Sequence, residues 1–299
     1  MEVNHMSFVD VSVIILNFNT LALTKLCLQS LKESKLGPYS MEIIVCDNAS
    51  TDGTMEMVKK EFPDVLCIQN KGNIGFAAGN NPGIKRAKGR YVILLNSDTE
   101  VTPSVMKSMI AFMDAHPKAG AATCKLMLAD GSMDPACHRG FPTPWNIFTY
   151  LTKLEKLFPK TRLFGEYHQG YKDLTKPHEV DSISGAFFMV RSEVIKEVGL
   201  LDEDFFMYAE DIDWAYRIKK SGWQIWFNPE VTVLHKKKQS GRSHANRDRR
   251  IKTQTFFITY NKLFYTKHYE HMYPRLITWL VYATFDIQLW LVQTFGIGV

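Results

Sequence analysis

The sequence predicts an α/β fold built on a mostly parallel sheet flanked by helices, with a helical extension at the C-terminal end. Three observations carry that prediction. Apolar runs of strand length alternate with amphipathic helical stretches through the first hundred residues, an alternation that implies right-handed βαβ crossovers. Each run stops in a polar, turn-forming cluster. The fourth run, Arg90-Tyr91-Val92-Ile93-Leu94-Leu95 leading into Asn96-Ser97-Asp98-Thr99-Glu100, is apolar without alternation. A run of that kind fits a central parallel strand covered on both faces.

Taken in order, Val11–Leu16 reads as the first strand and enters the polar turn Asn17-Phe18-Asn19-Thr20. A helix follows over about 21–33, with Leu23, Leu26, Cys27, Ser30 and Leu31 on one face. Gly37-Pro38 ends it. Glu42–Cys46 is the second strand and runs into Asp47-Asn48-Ala49-Ser50-Thr51-Asp52-Gly53-Thr54, where Ser50, Thr51 or Asp52 can cap a helix reaching Phe62. Val65–Gln69 is a third, short strand. After it comes the glycine-rich segment Asn70–Asn81 and a helix to about Ala87. Glycines at a loop-to-helix junction let backbone approach a ligand, and helix N–H groups favour anions. The spacing matches neither a dinucleotide fingerprint nor a P-loop.

Ligands of open α/β sheets bind beyond the carboxyl ends of the strands. The first three strands place Asn17, Asp47 and Asn70 there, and the fourth adds Asp98. A carboxylate at a rigid strand tip is a hard oxygen ligand, suited to Mg²⁺ or Mn²⁺ that also touches a nucleotide's phosphates. The competing reading is a plain turn or helix cap over 96–99.

With 45% hydrophobic and 22% charged residues, the 299-residue chain can bury one large core plus an appendage. Five cysteines at irregular spacing include no Cys-x-x-Cys pair, which suits a reducing cytoplasm rather than a disulfide framework or a zinc site. The N-terminus has no basic stretch before an apolar one, so no secretory signal is expected.

The ordered set Asn17-Phe18-Asn19-Thr20, Asp47–Gly53, Asn73–Asn81 and Asn96-Ser97-Asp98-Thr99 resembles the nucleotide-sugar half of family 2 inverting glycosyltransferases with the GT-A fold, a Rossmann-like architecture. The nearest subgroup is the bacterial rhamnosyltransferase-like enzymes of cell-surface polysaccharide assembly. Later motifs agree: Asp130-Gly131-Ser132, Ser184-Gly185-Ala186, Phe205–Trp214 and Val233-Leu234-His235. The resemblance covers about 8–243. It implies a catalytic domain over 1–243, with a donor half at 8–100 and an acceptor half at 101–243, followed by an extension at 244–299.

The resemblance also implies roles. Asp47 would accept the N–H of the donor's pyrimidine ring, with Asn17 and Phe18 in the same base pocket. Asn73, Gly75 and Asn80 would contact ribose or diphosphate. Asp98 matches the last acid of the family's Asp-x-Asp metal motif, and Asn96 stands in place of the first, which leaves one carboxylate for Mg²⁺ or Mn²⁺. His235 matches a further metal ligand. Asp211 would be the base that takes the acceptor's proton, with Gly185, Glu210 and Trp214 on the acceptor side.

Two stretches remain open. The aromatic, basic span 137–177 suits either a lid or acceptor-binding insertion or a satellite core. Lys236, Lys237, Lys238, Arg242, Arg247, Arg249, Arg250 and Lys252 form a run opposed only by Asp248. It reads as a solvated charge run, a loop closing on diphosphate, or a strip meeting anionic headgroups. No nucleic-acid reading module accompanies it. The apolar tail is nearly long enough to span a membrane, but Asp286 and Gln288 argue for a helix lying at the interface or packed on the body. The expectation is an enzyme at the cytoplasmic face of the plasma membrane, in peripheral contact with it. It would use a dTDP- or UDP-sugar, with dTDP-rhamnose the first candidate, and a lipid-linked saccharide acceptor. A nucleotidyltransferase and a non-catalytic sugar-nucleotide-binding protein are the alternatives.

Overall fold

The computed structural model describes residues 9–236 and 247–296. Lys237, Lys238 and Arg242 of the basic run lie outside them. The chain forms β1 (Val11–Asn17), α1 (Leu21–Lys32), β2 (Met41–Asp47), α2 (Thr54–Glu61), β3 (Leu66–Gln69), α3 (Phe76–Arg86), β4 (Tyr91–Asn96), β5 (Thr99–Val101), α4 (Val105–Ala115) and β6 (Ala119–Leu128). Past a 3-10 turn at Pro135–Cys137 come α5 (Pro144–Leu151), α6 (Leu154–Leu157), α7 (Arg162–Gly165), β7 (His178–Val180), β8 (Phe187–Arg191) and α8 (Ser192–Val198). The remainder is α9 (Glu210–Lys220), β9 (Gln224–His235), α10 (Arg247–His268) and α11 (Arg275–Phe295).

The strands make one sheet of order β3-β2-β1-β4-β8-β6-β9-β5, with β7 beside β9. The first four pair parallel, as the strand–helix alternation predicts. Beyond β4 the sheet is mixed rather than mostly parallel. There β8 runs antiparallel to β4 and β6, while β6 and β9 are parallel. Between β4 and β8 the chain makes three strands and several helices instead of one crossover helix, so nothing imposes a parallel return. The fourth strand is central: it lies between β1 and β8, and Tyr91–Leu95 are at most 2% exposed. That position explains an apolar run without alternation.

Register sets the tips. Asn17 pairs with Asp47, Leu16 with Asn96, and Asp47 with Gln69, so the ends of four strands share one edge. On the far side β9 lies between β5 and β6, which puts His235 opposite Thr99 and Leu128, one residue from Asp98.

A second core holds the C-terminal helices. Phe205, Ala209 and Ile212 pack with Phe264, Tyr265 and Tyr269 of α10 and its C-terminal turn, and Val281 and Phe285 of α11 lie against them. His268 Nε2 meets Asp213 Oδ1 at 2.7 Å, and Lys267 pairs with Asp202 and Asp204. Fully burying one large apolar side chain is worth about 1.5–3 kcal/mol, against about 0–1 kcal/mol for an exposed ion pair. Apolar burial, not the lysine, therefore attaches α10.

The last helix differs. Leu276, Trp279, Leu280, Ile287 and Trp290 are each about half exposed or more and recur at helical spacing along one side. Among the described residues α11 alone is long and apolar enough to cross a membrane, and 6% of its apolar window is buried. Asp286, the charge that argued against a span, pairs with Lys262 of α10 at 2.5 Å. The span 137–177 is a small folded layer. Thr143 caps α5 by accepting the Asn146 N–H, Pro144 fills the first turn, and the Trp145 ring stacks on Phe148.

Candidate active site

The donor edge is a tight polar lattice. Asp47 is 0% exposed and accepts four hydrogen bonds: from Asn17 Nδ2 at 2.6 Å, Gln69 Nε2 at 2.7 Å, and the Ser50 N–H and Oγ at 2.8 and 2.5 Å. A carboxylate offers about four lone-pair sites, so a nucleobase N–H reaches Asp47 only by displacing one of these donors. Asn17 is likewise wholly buried; its Nδ2 also bonds Ser50 Oγ, and its Oδ1 accepts the hydroxyls of Thr20 and Thr24. Asn17 therefore braces Asp47 and does not line a base pocket. The side chain turned outward at this tip is Phe18, 43% exposed.

The glycine-rich segment divides in the same way. Asn73 is exposed, with Oδ1 3.4 Å from Asn48 Nδ2 and from the Gly75 N–H. Asn80 is 1% exposed and bonds the Phe76 carbonyl inside its own helix, so it does not contact a donor. Gly75 sits at φ 91°, and a Cβ there would stand 2.4 Å from the Phe206 carbonyl oxygen, which also accepts the Phe76 N–H at 2.6 Å. Its role is to let two loops touch.

At the next tip, Asp98 and Asn96 are partly exposed. Asp98 Oδ1 lies 3.4 Å from His235 Nε2, and the other ring nitrogen, Nδ1, is 2.9 Å from Asp134 Oδ2. Burial lowers the His235 pKa, but the two carboxylates outweigh it and hold the imidazole at about 9. The ring is thus cationic between two acids. An Asp98–His235 pair whose second nitrogen is fixed by a carboxylate is a recurring way of preparing a histidine to bind metal.

Tyr208 and Ala209 both adopt left-handed backbone, φ 75° and 66°, and turn the chain sharply into α9. Asp211 Oδ2 accepts Arg139 Nη2 at 3.1 Å and the Gly185 N–H at 3.2 Å, and Oδ1 accepts the Ile212 N–H at 2.8 Å. Its side chain keeps 15% exposure. Glu210 is 6% exposed, its Oε2 has no hydrogen-bond partner among the described residues, and burial, reinforced by the Asp211 charge, pushes its pKa to about 8. Trp214 is no acceptor contact. It is 0% exposed, lies against Phe188 of β8 and donates to the Gly199 carbonyl at 3.0 Å, because helical spacing turns it to the sheet.

Two residues of this site escaped sequence reasoning. Asp134 and Arg139 come from the connection after β6, a stretch with no periodicity. The only signal was an Arg and an Asp flanking a Pro-Ala-Cys-His run. Both line one cavity, and each also touches a residue of the site: Asp134 meets His235, and Arg139 meets Asp211.

The family model for glycosyl transferase family 2 matches residues 12–199. The chain is 27% identical over 232 residues to an N-acetylglucosaminyl-diphospho-decaprenol L-rhamnosyltransferase of Mycobacterium tuberculosis, covering 69% of this chain and 70% of that one. Among solved structures, S. aureus TarS 1-349 superposes with TM-score 0.55 at 17% identity, over 84% of this chain and 64% of that one. The mannosyltransferase PcManGT from Pyrobaculum calidifontis, in complex with GDP-Man and Mn²⁺, gives TM-score 0.58 at 19% identity over 86% and 65%. The chain thus spans about two thirds of the length of these relatives. The fold is the mixed α/β sheet of GT-A glycosyltransferases, and the chain belongs to glycosyl transferase family 2.

Proposed function

We propose that the protein is an inverting glycosyltransferase that moves one sugar from a dTDP- or UDP-linked donor to a saccharide carried on a lipid diphosphate. It would do so at the cytoplasmic face of the plasma membrane. The observation that carries this reading is a set of contacts joined by one connection: Asp98 faces His235, whose ring Asp134 holds, and Arg139, from the same connection as Asp134, holds Asp211 together with the Gly185 N–H. The relative's name supports rhamnose as the first sugar to try.

The residues present fit one divalent cation. An oxygen and a nitrogen donor face each other at 3.4 Å, and Asp134 steadies the imidazole. Asp98 and His235 would hold Mg²⁺ or Mn²⁺, with His235 giving up its proton on binding. When bound, the ion would neutralise charge on the departing diphosphate.

In the proposed reaction the protein's own groups act as follows. Asp211 takes the proton of the acceptor hydroxyl as that oxygen forms its bond to the anomeric carbon. The carbon–oxygen bond to the diphosphate breaks, and the nucleoside diphosphate leaves with the electron pair, so one displacement inverts the centre. Arg139 and the Gly185 N–H fix the carboxylate for that transfer. Glu210, neutral at pH 7, adds no second charge beside it.

The test is donor hydrolysis or transfer across UDP-, dTDP- and GDP-sugars, with and without Mn²⁺ or Mg²⁺, for wild type, Asp98→Ala and Asp211→Asn. Metal-dependent turnover of one donor, lost in both variants, is expected. Calorimetry with the same donors covers the case in which hydrolysis needs the acceptor. No metal-dependent binding of any donor would sink the reading.

A further inference from the structure

Arg139, which holds Asp211, also lines a cleft of about 790 Å³ between the 142–168 layer and helices α10 and α11. Its size is that of a small-molecule pocket, but its lining is uneven. The ionisable groups are Asp134, Arg139 and His168, apart from tyrosine hydroxyls, and Asp134 and Arg139 are the two that pair with His235 and Asp211. The other walls are neutral and chiefly apolar, with Phe148, Val281 and Phe285 among them.

The far rim is half open. Trp145, Phe148 and Leu280 line the cleft yet keep 45%, 49% and 47% exposure, and Leu280 lies on the exposed apolar side of α11. The cleft thus leads from a guanidinium to a greasy outer face. Two buried polar atoms along it, Arg139 Nε and Gln254 Oε1, have no hydrogen-bond partner among the described residues. An unpaired buried guanidinium N–H is costly and suits an anionic oxygen. A pocket with a cationic end and an apolar, outward-opening body is complementary to an amphiphile with an anionic head and a branched hydrocarbon tail.

We infer that this cleft is the acceptor's lipid subsite. It takes the first isoprenoid units of a polyprenyl diphosphate between α5 and α11, with the diphosphate toward Arg139. The inference rests on the proposed glycosyltransferase function and names where that acceptor's carrier lies. Trp145, Phe148, Leu280 and Trp279 would then meet the hydrocarbon side of the bilayer while the chain passes between them.

The experiment uses the full chain and a ladder of probes: inorganic diphosphate, then dimethylallyl, geranyl and farnesyl diphosphate, and farnesol, by calorimetry or tryptophan quenching. Each added isoprenoid unit should tighten binding, by at least about tenfold from dimethylallyl to farnesyl diphosphate. Farnesol should bind more weakly than farnesyl diphosphate. Val281→Trp, which fills the cleft away from the catalytic groups, should flatten the ladder and leave nucleotide binding unchanged. Should that variant not fold, a diazirine-bearing farnesyl diphosphate decides with wild type alone: label is expected in peptides spanning 144–151 and 275–295.

Affinity independent of chain length, farnesol matching the diphosphate, or label placed elsewhere would each overturn the inference. Donor binding, measured in parallel, separates the two failures. A protein that binds nucleotide sugars but shows no ladder keeps its proposed function and loses the lipid subsite. A ladder without any donor binding removes the glycosyltransferase reading instead.

Discussion

The donor edge and the acceptor side are built on opposite principles. At the donor edge, parallel strands in register deliver Asn17, Asp47 and Asn96 side by side, and side chains of adjoining strand ends satisfy the buried groups. The acceptor side gathers Asp98, Asp134, Arg139, Gly185, Asp211 and His235 from five separate segments, and among the described residues it leaves Arg139 Nε and Glu210 Oε2 without a partner. A saturated lattice confers rigidity. An unsaturated one stores the capacity to bind, since buried unpaired polar groups are costly until a ligand meets them.

The contrast can be broken most sharply at Asp211. Asp211→Asn keeps the shape but removes the base, so kcat for transfer should fall by about 10²–10⁴-fold while donor affinity by calorimetry stays within error. Equal losses in donor affinity would mean that the two regions are not separable. Gly75→Val comes next. A side chain there meets backbone at 2.4 Å and occupies φ 91°, so a loss of about 2–3 kcal/mol is expected in urea unfolding.

Asn17→Ala tests the lattice itself. Asp47 loses one donor and the Thr20 and Thr24 hydroxyls lose an acceptor, which should lower stability by about 1–3 kcal/mol. A variant that binds donor poorly at undiminished stability would restore Asn17 to the base pocket.

At Glu210 the expected effect is a pH dependence. An acid whose folded pKa of about 8 exceeds its ordinary 4.5 favours the folded state fully below pH 4.5 and loses that contribution as pH rises toward 8. Wild type should therefore lose stability across that window, and Glu210→Gln should lose less. Identical pH profiles for the two would show that the carboxyl is not held neutral.

The same contrast explains what could be read in the sequence. The parallel half was legible because strand–helix alternation and polar run-ends are periodic, local signals, and β4 was recognisable from Val92–Leu95 alone. The return of β8 antiparallel to β4 was not, since that depends on how a long irregular connection crosses the sheet. Motif position also says nothing about which way a side chain points. Asn17, Asn80 and Trp214 lie inside the motifs that mark the family, and all three are turned inward. Conversely, Asp134 and Arg139 become partners of His235 and Asp211 only through tertiary approach, which no spacing along the chain reveals.

The contact between Gly75 and the Phe206 carbonyl has a consequence for descent. Position 206 lies two residues before Tyr208, the first of the two left-handed residues that launch α9, so any side chain at 75 would have to move the very turn that presents Asp211. Phe18 and Asn73 are exposed and bear little structure, so a lineage can alter them freely. It cannot alter position 75 without re-inventing a turn that comes from the far half of the chain. Among descendants of this chain, then, variation at those exposed positions and invariance at that glycine should coexist.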